Sequence, residues 1–449
     1  MSAMILASAT SCTHEDEFVP ASGSGSFEEQ NETAINSALI AKKVVVDEDD
    51  YNLQRRVWSE EFKNFAKKIT TFSNNAAVAI GAKASGNTAV SPLSVFMALS
   101  MAAESANSDT RQEILDAMGI TYDELSANIQ TVCYICNQSL DSRYSSNGVN
   151  MIKSVNSLWV KDGVRVKDDG IKALTTKYCA DLFNMDFAET NVGKLVQSYI
   201  SNETKGLLSP SMELTPETFF LLMNVVYLRE IWDKEGDELP LTEQKYDFVN
   251  YDQSTTNTNL LQGYYITGKA VETEKFRKFK TTTNSGLSLT FFVPKDGYTL
   301  DDIYTSEVLN DPKPYIYEDT ISNPSVNYRF HTRCFFPEYK ASFDGEIQDA
   351  IKKMGVDKFF KFDSCDFSNL TDEPVFCDKI IHVTSLDVTR KGIEGAAVTV
   401  VEMDWAGDPG PSEKVWKDVY FDFPVDRNFA YVLSKDNVPI FTGVVKSIK

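Results

Sequence analysis

Outside the polar N-terminal stretch that carries His14, the chain has two histidines, His331 and His382. A three-histidine metal site is therefore excluded, and any imidazole chemistry falls to those two. Neither stands in a recognisable catalytic motif and no Gly-x-Ser-x-Gly elbow occurs, so a Ser-His-acid triad has no support. The run Gly263-Tyr264-Tyr265-Ile266-Thr267-Gly268-Lys269-Ala270 has phosphate-loop spacing up to its last position. Ala270 cannot ligate magnesium, bulky side chains crowd a loop that must curl around phosphate, and no capped helix follows; the spacing is chance. Cys133 and Cys136 form a single Cys-x-x-Cys in an apolar, helical context with no second pair at zinc-finger spacing, which reads as buried thiols. These residues give no enzyme active site, no metal and no cofactor. Function has to lie in what the fold does as a whole.

The 449 residues carry 44 basic and 65 acidic side chains, a formal charge of −21, with 42% hydrophobic and 12% aromatic residues. That is a globular, acidic composition. It repels phosphate, so nucleic acid, a heparin-like activator and an electrostatic hold on anionic lipid are all disfavoured as partners. Proteins and neutral molecules remain, and a monomer is expected.

At the N-terminus, residues 1–11 are small and apolar, Cys12 follows Ala9-Thr10-Ser11, and an acidic stretch comes next. The pattern resembles the end of a bacterial lipoprotein signal, with Cys12 as the lipidated residue, although a basic n-region is missing and the apolar run is short. Residues 1–12 are therefore expected to be a signal remnant, and an outer-membrane, cell-surface or periplasmic location is expected in place of a cytoplasmic one. Residues 13–50, rich in Ser, Gly, Glu and Asp, read as a flexible acidic tether, and residues 51–449 as one domain. In an oxidising compartment the six cysteines after Cys12 permit disulfides without requiring them, with Cys365 and Cys377 the first pair to check.

Within the domain, Phe62, Phe65, Ala66, Ile69 and Phe72 recur at helical spacing, and Ser108-Asp109-Thr110 opens a capped helix that Gly119 stops. Later, residues 287–293 and the alternation of Val326, Tyr328 and Phe330 read as strands, a helix is expected over 344–354, and two strands flank Lys435-Asp436-Asn437. Helices first and strands later indicate an α+β fold.

Several ordered segments resemble the serpin family. Asn87-Thr88-Ala89-Val90-Ser91-Pro92-Leu93-Ser94 is similar to the family's Asn-x-x-x-Ser-Pro-x-Ser helix entry, and Asn224 to Trp232 to its Asn-x-x-Tyr/Phe-Phe-Lys-Gly-x-Trp strand. Phe336-Pro337-Glu338-Tyr339-Lys340, Asp366-Phe367-Ser368-Asn369-Leu370, Lys379-Ile380-Ile381-His382 and Phe423-Pro424-Val425-Asp426-Arg427-Asn428-Phe429 follow in family order. The resemblance implies three β-sheets with eight or nine helices and an exposed reactive-centre loop, here about residues 392–419. It implies a hinge at Gly392, Ile393, Glu394, Gly395, Ala396, Ala397, Val398 and Thr399. It also implies a gate of Ser91, Ser94, Asn224 and His382 beneath the centre of the main sheet, with Trp232 near the point where the loop enters.

In a strand the hinge would turn Ile393, Gly395, Ala397, Thr399, Val401 and Met403 to one side, none of them charged, and Glu394, Glu402 and Asp404 to the other. Such a segment could enter a sheet without burying charge. The activity the resemblance implies is suicide inhibition of a serine protease, or of a cysteine protease, and not enzyme catalysis. The reactive bond is expected at Ala406-Gly407, with Met403, Trp405 and Lys414 as secondary sites. A non-inhibitory binding or carrier role on the same fold is the alternative, favoured by Ile393 where Thr or Ser is usual, by Gly395 for Ala, and by Arg390-Lys391 ahead of the hinge glycine.

Overall fold

Local chemistry explains the helical first half. In the computed structural model, which describes residues 3–9, 25–47, 49–82, 84–137, 151–189, 191–203, 214–232, 238–267, 271–283, 287–310, 326–395 and 415–448, Ser59 caps the helix Glu60–Gly81 by accepting from the Phe62 N–H. Phe62, Phe65, Ala66, Ile69 and Phe72 lie on its buried face. The next helix, Pro92–Ser105, starts with proline in its first turn and is buried on every side, as a central helix must be when Leu93, Val95, Phe96, Met97 and Leu99 surround its axis. Helix Ser108–Met118 takes its cap from Asn107, one residue earlier than the sequence suggested, and ends on Gly119 at φ 68°, the left-handed conformation that glycine adopts without strain.

The second half is strand-rich, as expected. The main sheet has eight strands. From one edge it runs Tyr339–Glu346, Phe376–Val388, then two short strands end to end, Ala3–Ala9 and Gly392–Gly395, then Thr218–Ile231, Met151–Lys161, Ala180–Met185 and Leu39–Ala41. A six-stranded sheet packs behind the Pro92–Ser105 helix and includes Ser288–Pro294, Phe429–Lys435, Val438–Val445 and Thr88–Val90. A four-stranded sheet includes Val326–Phe336 and Val415–Pro424 as parallel neighbours. The terminal hairpin turns at Asp436 and Asn437, both at positive φ (47° and 63°), the backbone that a two-residue hairpin loop needs. Eleven α-helices occur among the described residues, two of them the short pieces Leu300–Ile303 and Ser306–Leu309.

Two expectations need correction. The helix foreseen over 344–354 begins at Gln348; Asp344 and Glu346 belong to the edge strand Tyr339–Glu346, where burial alternates with exposure. Part of the stretch read as a flexible tether has regular structure, because Gly25–Ala38 is a helix, Ile35 of which is buried beside Trp159 and Phe183, and Leu39–Ala41 adds a strand to the sheet edge. Residues 3–9 form a strand of the main sheet.

The cysteines are thiols where they are described. Cys133 and Cys136 are buried, and burial pushes the Cys136 thiol up to about 12. Cys365 and Cys377 form no disulfide, and the Cys365 thiol donates to the Val375 carbonyl at 2.7 Å.

Candidate functional site

The long strand Thr218–Ile231 is apolar on both faces because it is covered on both. Phe220, Leu222, Val226 and Leu228 join the core around the Pro92–Ser105 helix, while Leu221, Met223 and Val225 pack with Trp159, Phe183 and Tyr199 in the cluster that includes residues of the Val192–Glu203 helix. Period-2 alternation then turns Asn224 toward the central helix. The Phe376–Val388 strand obeys the same rule, with Ile380, Leu386 and Val388 in the first core and Ile381 and Val383 against the second, so His382 and Thr384 point inward.

Two polar side chains thus face the start of one helix, and that start is built to receive them. The backbone N–H of Ser91 donates to His382 Nε2 at 3.1 Å. Ser91 Oγ accepts from the Ser94 N–H at 3.4 Å as the helix cap, and Ser94 Oγ donates to the Asn224 carbonyl at 3.1 Å. All four residues are buried. As an acceptor, Nε2 carries no proton, so the neutral ring is protonated on Nδ1. Burial pushes the His382 imidazole down to about 3 and keeps it neutral.

The sequence reading missed the next partners. The Asn224 amide donates to Ser154 Oγ at 2.7 Å and to Asn156 Oδ1 at 2.6 Å, and the Asn156 amide donates to the Tyr178 carbonyl at 2.6 Å. Thr384 Oγ1 donates to the Ala89 carbonyl. The sequence signal was weak, because Asn156 is one of several polar residues in the Met151–Lys161 strand and its burial is what demands partners. Asn224 Oδ1 itself is buried with no hydrogen-bond partner among the described residues.

At the top of the sheet, the Phe376–Val388 strand turns through Thr389, Arg390 and Lys391 and returns as Gly392–Gly395, closed by the Thr389 N–H donating to the Gly392 carbonyl at 2.9 Å. The returning strand lies antiparallel between two neighbours, with Ile393 opposite Val388 on one side and Glu230 on the other. Gly392 is required here: a Cβ at this position would stand 2.1 Å from the Glu230 carbonyl oxygen. Ile393, on the uncharged side of the hinge, is buried in the central core.

The turn is anchored. Trp232 Nε1 donates to the Thr389 carbonyl at 2.6 Å and its ring packs 5.5 Å from Phe336. The Arg390 N–H donates to Glu338 Oε1 at 2.7 Å, and its guanidinium pairs with Glu238 at 3.3 Å. Cys12, Ala396, Ala397, Val398, Thr399, Met403, Trp405, Ala406, Gly407 and Lys414 lie outside the described residues.

Of the run with phosphate-loop spacing, residues 263–267 are described. The Gly263 N–H donates to the Cys334 carbonyl at 2.9 Å, and the Tyr264 and Tyr265 side chains are exposed. His331 stacks on Tyr420 and contacts Asp418 at 2.9 Å on the four-stranded sheet, far in sequence from any nucleophile motif.

A family model described as Serpin (serine protease inhibitor) matches residues 67–448. An uncharacterised serpin-like protein of Methanosarcina mazei is 24% identical over 371 residues, covering 80% of this chain and 81% of that protein. An antitrypsin of Bombyx mori is 24% identical, covering 79% of this chain and 86% of that protein. Among solved structures, the native state of the thermophilic serpin Tengpin aligns with a TM-score of 0.66 at 19% identity, covering 92% of this chain and 99% of that one. Thyroxine-binding globulin in complex with thyroxine aligns with a TM-score of 0.63 at 18% identity, covering 86% and 99%. At these identities the structural likeness establishes the fold.

Proposed function

We propose, from the premise that the chain belongs to the serpin family, that it is a suicide-type inhibitor of serine proteases, with elastase-like or subtilisin-like enzymes preferred. The target protease's serine Oγ attacks the Ala406 carbonyl carbon. The Ala406-Gly407 bond breaks, the Gly407 amine leaves with the C-terminal fragment, and Ala406 is held as an ester on the protease. The freed loop then enters the main sheet as an additional strand and carries the protease with it before water can release the ester. An inserted strand of about a dozen residues forms backbone bonds worth roughly 1 kcal/mol each and buries its apolar side, a drive on the order of 10 kcal/mol.

The observation that carries this reading is the hinge. Gly392–Gly395 already lies as a strand between Thr218–Ile231 and Phe376–Val388, with Ile393 turned into the core. The inserting strand would follow the same two strand edges that the hinge already pairs with.

A non-inhibitory carrier role is the second reading. Its specific support is Ile393 and Gly395 in the hinge, together with a thyroxine-binding globulin among the structures of like fold. Mixing the protein with elastase-like, subtilisin-like and trypsin-like proteases separates the two. An inhibitor yields a complex that survives boiling in SDS; cleaved protein with every enzyme rejects inhibition. The reading also includes a lipid anchor on Cys12 at the outer membrane or cell surface, or a periplasmic location. Labelling with a radioactive fatty acid and its loss in Cys12→Ser test the anchor.

A further inference from the structure

The slot between Thr218–Ile231 and Phe376–Val388 is filled from both ends. The hinge enters from the top, antiparallel, and its last described pairs are Glu394 opposite Asp387 and Gly395 opposite Leu228. Ala3–Ala9 enters from the bottom, parallel to both neighbours, with Ala3 beside Thr218 and Phe376, and Ser8 beside Asn224 and His382.

Extending the hinge register shows what these two segments share. Asn224 lies four residues before Leu228, so the loop residue that reaches it is four past Gly395, which is Thr399. On the other edge His382 lies five residues before Asp387, so the loop residue that reaches it is five past Glu394, again Thr399. Both edges agree, and the place they assign to Thr399 is the one Ser8 occupies. The loop residues after Thr399 would need the places held by Ala7 down to Ala3. Only one strand can be there.

We propose that Ala3–Ala9 is a placeholder strand, an autoinhibitory contact that keeps the lower half of the main sheet closed and must leave before the reactive loop can insert. The proposal rests on the reading of the loop as the inserting strand. The segment Ala3-Met4-Ile5-Leu6-Ala7-Ser8-Ala9 carries no charge, so it can enter a sheet covered on both faces without a desolvation penalty for charged groups. It pairs backbone groups on two inner strand edges that would otherwise stand open.

The same geometry makes it displaceable. Parallel pairing is slightly weaker per residue than antiparallel pairing, and the register slips at Ala3/Met4 on one edge and at Met4/Ile5 on the other. A cleaved loop offers a longer antiparallel strand for the same edges. Cleavage ahead of Cys12 would remove the placeholder whole, so processing and arming would be one event.

The test uses the full chain and a synthetic acetylated peptide of residues 392–403 as the competing strand. In Leu6→Pro the missing N–H and fixed φ break the placeholder ladder, and uptake of the peptide, followed by mass spectrometry under native conditions, should be about tenfold faster than in the parent. In the double variant Ala7→Cys/Ile381→Cys, oxidation should join positions 7 and 381, which are register partners, and block uptake until reductant is added. Equal uptake by parent and Leu6→Pro, failure of the two positions to link, or uptake by the linked chain at the parent rate would each overturn the proposal. No protease takes part in these measurements. If the inhibitor reading alone were wrong, neither variant would form a protease complex while the difference in peptide uptake persisted.

Discussion

Asn224 and His382 stand on opposite banks of the slot, and the same short segment holds both: the Ser91 N–H reaches His382 Nε2 and the Ser94 hydroxyl reaches the Asn224 carbonyl, each at 3.1 Å. The first turn of the central helix is therefore a tie across the two strands that flank the slot. His382→Ala leaves the buried Ser91 donor without this acceptor, at a cost of about 1–3 kcal/mol. The variant should melt lower and convert faster to an inserted or polymeric form, read by native gels over time. The same side chain sets a pH dependence. Its pKa falls from 6.5 to about 3 on folding, so between those values the unfolded chain binds a proton that the folded chain refuses. Stability from this site is then full above about pH 6.5 and is lost as pH falls toward 3. The parent's melting temperature should drop more steeply over that window than that of His382→Ala. Parallel curves would remove His382 from the acid response.

The central polar cluster was legible because Ser91, Ser94, Asn224 and His382 sit in segments whose order and spacing carry the family pattern. Their supports were not: Ser154 and Asn156 matter only because register sets Asn156 opposite Asn224, and a single strand's sequence does not state its register. The N-terminal strand was hidden for a similar reason. Seven small and apolar residues resemble a leader, and their pairing depends on edges more than 200 residues away. At residues 344–346 the spacing of Ile347, Ile351 and Met354 extended a helix backwards into an edge strand whose polar side chains face water.

Gly392→Ala tests whether hinge entry depends on close backbone approach. The added methyl would meet the Glu230 carbonyl oxygen at 2.1 Å, closer than any contact allows, so either the hinge or the Thr218–Ile231 strand must shift. The hinge should yield, because its described strand has four residues against fourteen in its neighbour. Amide exchange at residues 228–231 should accelerate, and the fraction of loop cleaved without trapping the protease should rise. Unchanged exchange would mean that the strand tolerates a side chain at this point.

Nicking should raise stability. Most proteins lose stability when a loop is cut, because the cut frees chain ends. Here a cut between Glu402 and Lys417 releases a strand that can complete the main sheet, so the nicked protein should melt well above the intact one in calorimetry. Melting at or below the intact value would argue against insertion and for the carrier role. In Leu6→Pro the jump should develop sooner after cutting than in the parent.

The scissile bond is where two ways of counting disagree. Family members place the residue before the cut about fourteen positions after the hinge glycine, which from Gly392 gives Ala406, a span of ~45 Å at ~3.3 Å per residue. Counting back about nine positions from Phe423 gives Lys414, so this loop is about eight residues longer than usual. Ala406-Gly407 suits elastase-like or subtilisin-like enzymes with small specificity pockets, whereas Lys414-Val415 suits trypsin-like ones. Mechanics favour the first. A protease caught at Lys414 would trail the extra residues, with Pro409 and Pro411 among them, and would reach the far pole without being pressed against the body. Val415 also begins the strand Val415–Pro424, paired from its first residue with Val326, so the chain on the leaving side of Lys414 is held in a sheet and is not free to lie in a protease cleft. Trypsin-like enzymes should therefore cleave at Lys414 or Lys417 slowly and without forming a stable complex. Mass spectrometry of the C-terminal fragment from the stable complex decides the matter: a fragment beginning at Gly407 is expected, and one beginning at Val415 would reverse the assignment.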